Sequence, residues 1–197
     1  MSVALKKAPA TVNDLLAIPE HERFHEIIGG ELVRKTMPGG PHGRSQARLT
    51  MRLGRLYDRR PGGRWPGGWA FYTETEVLFT DDEIYRPDVA GWRRDRLPEI
   101  PKEPPITVRP DWICEILSPS NQRNDVIWKM RTYQRSGVPH YWLLNPIEES
   151  LIVYRWTESG YLLVQSVQGE ERVRAEPFDA VVLSVHGLLE GDEDEDE

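Results

Sequence analysis

The run Trp112-Ile113-Cys114-Glu115-Ile116-Leu117 constrains this chain more than any other stretch. It reads as a central strand, and a carboxylate inside such a strand is costly unless a cation, a donor or solvent meets it. A turn at Ser118-Pro119-Ser120-Asn121 follows, then a helix from about 123 to 136 that Gly137 ends and Pro139 reinforces. His140 to Leu144 forms the next strand, closed by Asn145-Pro146. Strand, helix and strand in that order ask for a sheet with a helix on its face.

The flanking elements extend this frame. Residues 11–17 predict a short helix, capped by Thr11 or Asn13 and stopped by Pro19. Phe24 to Ile28 and Glu31 to Lys35 surround Gly29-Gly30, the signature of a tight β-hairpin. From about 43 to 60, Leu49, Leu53, Leu56 and Tyr57 recur at helical spacing over an arc of about 100°. Trp69 to Phe79 and Ile84 to Trp92 predict a longer hairpin turning at residues 80–83. Residues 93–110, charged and rich in proline, predict a mobile surface loop, and 151–185 a β-meander. The sum is an α/β (α+β) arrangement, a mixed sheet with helices on its faces. The expected organisation is a leader and short helix over 1–20, one domain over 21–190 and an acidic tail over 191–197.

A length of 197 residues is enough to bury a real core without staples. The formal charge of −7 is misleading, because six acids form one run, Asp192 to Glu197, and the rest balances at 25 − 26 = −1. An acidic chain of this kind is therefore compatible with a nucleic-acid partner. A single cysteine, Cys114, excludes an intrachain disulfide and a multi-cysteine zinc site. No run of about 20 apolar residues is present, and no apolar segment follows Lys6 and Lys7. The reading is a soluble cytoplasmic protein without a membrane span.

Asp88 follows Pro87 in the strand expected before the one carrying Glu115. Two carboxylates at one level of neighbouring strands repel unless a cation lies between them, as in a Mg²⁺ site completed by water and phosphate. The alternative has Asp88 facing solvent and Glu115 paired with an arginine. Asp125, Lys129 and Tyr133 share a helix face within about 80°. Lys129 could serve a scissile phosphate, or simply form an i,i+4 pair with Asp125 worth about 0.3–0.5 kcal/mol. Arg44, Arg48, Arg52, Arg55 and Arg59 form a stripe of about 80° opposite the apolar face. It suits backbone phosphates, or it is a solvated face, or one covered by the tail or another subunit. The tail could thus mimic DNA over this stripe, or be a disordered solubilising segment. His42, before this helix, can touch a phosphate or a site carboxylate, or act as a cap. Trp65 and Trp69 can stack on bases, or belong to the core or a dimer contact.

Taken together, Pro87-Asp88, Glu115-Ile116-Leu117-Ser118-Pro119-Ser120, Asp125, Lys129, Tyr133 and Gly137-Val138-Pro139-His140-Tyr141-Trp142 resemble the Uma-type family of the PD-(D/E)XK nuclease superfamily. Phe24 to Leu32 and Pro41-His42-Gly43 are similar to that family's opening hairpin and helix start, so the resemblance covers roughly residues 20–187. It implies a restriction-endonuclease-like mixed central sheet flanked by helices. It implies a metal-dependent endonuclease acting on DNA, double-stranded, with Mg²⁺ or Mn²⁺ as cofactor and a homodimer as the assembly. Asp88 and Glu115 would be the metal-binding acids and the carbonyl of Ile116 a further ligand. Lys129 would orient the nucleophile, and Glu26 would complete the site. The superfamily's lysine is expected two residues after the glutamate, where Leu117 stands, so a nuclease fold that binds nucleic acid or a protein without cleaving is the alternative.

Overall fold

Local chemistry sets the first elements. The computed structural model describes residues 8–36, 39–99, 101–118 and 124–190, the side chains of Asn124 and Asp125 excepted. Helix α1 (Val12–Leu16) starts at a capping box in which Thr11 and Asp14 satisfy each other's backbone N–H groups. Strands β1 (His25–Ile28) and β2 (Glu31–Arg34) form the hairpin, with Gly29 and Gly30 both at positive φ. Helix α2 spans Gly40–Tyr57, so Pro41 occupies its first turn and His42 lies inside it rather than before it. Arg59, expected on its stripe, lies beyond its end.

The longer hairpin differs most from expectation. It divides into β3 (Trp69–Thr73), β4 (Val77–Thr80), β5 (Glu83–Tyr85) and β6 (Val89–Arg93). β3 pairs with β6 and β4 with β5, but the two halves belong to different sheets. Pro87 has no N–H to continue the ladder, and Glu74 opposite it turns through φ 52°. The expected single mixed sheet is therefore accompanied by a four-stranded antiparallel one, in the order β2-β1-β5-β4.

The main sheet has six strands in the order β10-β9-β8-β7-β6-β3. Strand β7 (Trp112–Ile116) runs to helix α3 (Asn124–Arg135), which returns to β8 (His140–Asn145), parallel to β7. Strands β9 (Ser150–Thr157) and β10 (Gly160–Gln168) continue it antiparallel. A small ribbon of β11 (Arg172–Val173) and β12 (Leu183–Ser184) precedes helix α4 (Val185–Leu189).

Alternation along β7 divides the core. Trp112, Cys114 and Ile116 pack with Leu49, Leu53, Leu56 and Tyr57 of α2, while Ile113 packs on the other side with Tyr133 of α3. Glu115 shares the α3 side. Trp69 is buried in the α2-side core and Trp65 packs against it, which favours the core reading of both over base stacking. The 93–110 loop is pinned rather than free: Leu97 and Ile106 are buried, and Ile106 exchanges backbone hydrogen bonds with Glu76 and Leu78. Among the described residues no helix is long and apolar enough to cross a membrane. The leader's first seven residues, the turn at 119–123 and the acidic tail lie outside the described residues.

Phe178 joins the α2-side elements. Its ring centroid lies 4.8 Å from that of Tyr57, 5.0 Å from Trp69, 5.1 Å from Trp112 and 5.5 Å from Trp142. Its carbonyl accepts the Tyr57 hydroxyl at 2.7 Å. Phe178→Ala should leave a cavity among five rings, Phe71 being the fifth at 5.7 Å, and cost about 3–5 kcal/mol, read as a lower urea midpoint with the far-UV spectrum retained.

Candidate active site

Four elements deliver charged side chains to the break in the hairpin. Beyond Val89, which pairs with Cys114, the β6–β7 ladder ends. The Ile116 N–H donates instead to Asp88 Oδ2 at 2.7 Å. On the other arm, the Arg86 N–H donates to Glu26 Oε1 of β1 at 2.7 Å. The Asp88 carbonyl accepts Gln46 of α2 at 2.6 Å. Side chains thus satisfy backbone groups that would otherwise be orphaned where the chain changes sheet.

Asp88 is buried and fully engaged. Lys35 Nζ donates to its Oδ1 at 2.9 Å, and His42 Nε2 lies 3.0 Å from Oδ2. Burial alone would raise its pKa, but the Lys35 ammonium and His42 prevail and hold the carboxyl well below the usual range. Glu115 has weaker support. Its Oε1 accepts the Tyr133 hydroxyl at 2.5 Å, and Lys129 Nζ stands 3.7 Å away. Burial, with the Asp88 charge beside it and only part compensation from Lys129, pushes its pKa up to about 8.

Lys129 is buried from α3 and pairs with Glu26 Oε1 at 2.9 Å. Lys35, Asp88, Glu115, Ile116, Leu117, Val126 and Lys129 line one narrow pocket with a cavity volume of about 20 Å³. Asp88, Glu115, Lys129 and Glu26 therefore come together, with Ile116 at the same wall. Asp88 does not face solvent, and Glu115 pairs with no arginine among the described residues. Of the two roles weighed for His42 beyond capping, the geometry supplies contact with a site carboxylate. The Asp125 side chain lies outside the described residues.

Four of the five arginines lie on α2, and they differ in exposure and partners. Arg44 is half exposed and pairs with Glu190 after α4, and Arg48 is partly buried. Arg55 is exposed and Arg52 partly so, and both have partners in the structure.

Two contributors escaped the sequence reading. Lys35 read as the end of a hairpin strand, and Glu74 as strand interior. Pro87 within a strand run was the available signal that the hairpin must break there.

Among the described residues no three His, Cys, Asp or Glu side chains form a ready-made cage. Two carboxylates and a carbonyl on one pocket wall still make a hard-oxygen set suited to a cation that keeps several waters, as Mg²⁺ does. Burial is the first cause of the raised Glu115 pKa, and a cation beside it would favour the ionised carboxylate.

In metal-free protein, Glu115→Gln should increase stability, because it keeps an acceptor for Tyr133 and removes a buried carboxylate. The folded pKa of about 8 exceeds the ordinary 4.5. Wild-type stability thus falls as pH rises between those values, since only the folded form holds the proton there. The advantage of the variant should grow across that window and level off above it, at the order of 1–4 kcal/mol. Urea midpoints at pH 5, 6.5, 8 and 9 with EDTA check this; a pH-independent difference would contradict it.

Comparison with known proteins places this geometry in a family. A solved structure described as a "putative nuclease belonging to DUF820 from Anabaena variabilis ATCC 29413" is similar, with a TM-score of 0.74 and 24% identity over 92% of this chain and 98% of that one. At that identity the likeness is one of fold. No curated protein matches. The family model Uma2, described as "Putative restriction endonuclease", matches residues 12–186, nearly the whole chain, and the protein belongs to that family.

Proposed function

We propose that this protein is a divalent-metal-dependent endonuclease that hydrolyses phosphodiester bonds of double-stranded DNA. The carrying observation is the convergence of Asp88, Glu115 and Lys129, far apart in sequence, on one pocket. Asp88, Glu115 and the Ile116 carbonyl would hold Mg²⁺, or Mn²⁺. Such an ion lowers the pKa of a bound water and polarises a phosphoryl oxygen. Lys129, fixed by Glu26, places an ammonium beside Glu115, where it can orient the attacking water or stabilise developing negative charge. Tyr133 holds the Glu115 carboxylate, and His42 and Lys35 hold that of Asp88. Water attacks phosphorus, one P–O ester bond breaks, and the leaving oxygen takes up a proton without a covalent intermediate. The arginines of α2, which begins at the site with His42, would contact backbone phosphates. One site per chain cutting both strands of a duplex calls for two copies, so the reading includes a homodimer.

A second reading, a nuclease fold that binds DNA without cleaving it, is favoured by one observation. The charge of Asp88 is already met by Lys35. Plasmid cleavage separates the two. Metal-dependent nicking and linearisation, abolished by EDTA and by Glu115→Ala with the fold intact, is the expected result. Intact plasmid with wild-type protein across both metals would favour the binding reading.

Arg48→Ala and Arg55→Ala should each weaken DNA affinity evenly across sequences and lower the slope of log K against log salt by about 1. Fluorescence anisotropy from 50 to 200 mM salt measures it, and an unchanged slope in both variants would remove α2 from the DNA-binding surface.

A further inference from the structure

Lys35 belongs to no motif of the proposed site, yet its ammonium is fully coordinated. An ammonium has three donors. Those of Lys35 meet Glu74 Oε2 at 2.7 Å, the Arg86 carbonyl at 2.7 Å and Asp88 Oδ1 at 2.9 Å. Two carboxylates and a main-chain carbonyl are the hard oxygens that a divalent cation takes. The cage is braced, because Gln46 Nε2 donates both to Glu74 Oε1 at 3.2 Å and to the Asp88 carbonyl at 2.6 Å.

We infer that Lys35 supplies the second cation of the site, so that the protein takes one divalent ion, between Asp88 and Glu115, where a two-metal nuclease takes two. The inference rests on the metal reading given above. Acceptor capacity supports it. A carboxylate offers about four lone-pair sites. The Ile116 N–H and His42 take both at Asp88 Oδ2, and Lys35 takes one at Oδ1, which leaves a single position. Charge supports it independently. Among the described side chains, Glu26, Glu74, Asp88 and Glu115 bring four negative charges when ionised and Lys35 and Lys129 two positive ones, so 2 − 4 = −2 with histidine neutral. One divalent ion neutralises that cluster. A second would leave an uncompensated buried +2, which is strongly disfavoured. In two-metal sites the ions clamp the attacking and leaving oxygens; here the ammonium, its three donors already used, replaces only the charge of the second ion, as a positioning residue that acts through Asp88.

The test is Mn²⁺ titration of the full-length chain, followed by calorimetry and electron paramagnetic resonance. Wild type and Lys35→Arg, which keeps the charge, should bind one Mn²⁺ at the site. Lys35→Ala and Lys35→Met should bind two, with spectral coupling between neighbouring ions. Weak binding by the acidic tail is common to all four proteins and cancels in the comparison. If Lys35→Ala fails to fold, Lys35→Met, which retains most of the apolar stem, carries the test. Two coupled ions in wild type would overturn the inference, and so would one ion in both charge-removing variants, while leaving the metal reading intact. No Mn²⁺ in any of the four proteins would overturn both.

Discussion

The site depends on a single backbone event, the point at which one hairpin leaves the six-stranded sheet for the four-stranded one. Pro87 cannot donate to a ladder, and Glu74 turns through positive φ opposite it. The break strands backbone groups in a buried region, where each unpaired group costs free energy. Glu26, Asp88, Gln46 and Lys35 satisfy them. The same carboxylates that could hold a cation therefore also close the fold. This explains how acids can be retained in the interior: their positions are over-determined by backbone donors as well as by ammonium groups.

Two carboxylates in one pocket shift in opposite directions because their support is unequal. Asp88 has a lysine, a histidine and a backbone N–H in direct contact. Glu115 has one phenol and a lysine that Glu26 already holds closer, at 2.9 Å against 3.7 Å. Without an external cation, the proton that Glu115 keeps up to about pH 8 supplies the missing charge. The asymmetry makes Glu115 the responsive member of the pair and Asp88 the fixed one.

Much of this was legible in the chain, and the illegible part has a physical reason. Strand β7, helix α3 and strand β8 follow from an apolar run, a glycine stop at Gly137 and a second apolar run. Glu115 stands out because it breaks its run. The opening hairpin follows from Gly29-Gly30. Lys35 and Glu74 do not stand out, because a lysine at a strand end and a glutamate in a polar stretch usually face water. Their importance arises from contacts across 53 residues between Lys35 and Asp88 and 39 between Lys35 and Glu74. No local pattern encodes such separations. The arginine stripe was half legible: helical spacing gives the shared face, but not the helix end at Tyr57 or the pairing of Arg44 with Glu190.

The position of the lysine deserves a geometric rather than a sequential reading. Leu117 stands where a strand-borne lysine would be expected, and it lines the pocket as an apolar wall. Lys129 reaches the same pocket from α3, which is tied to β7 and β8 by their parallel pairing. A helix-borne ammonium brings a hazard: free to close on Glu115, it would consume the carboxylate that a cation needs. Glu26 removes that hazard by holding Lys129 at hydrogen-bonding distance, which leaves it 3.7 Å from Glu115. Glu26 is itself held by the Arg86 N–H at the sheet break. An acid on β1 thus restrains the helix-borne lysine, and Lys129 and Glu26 form one buried pair beside Glu115.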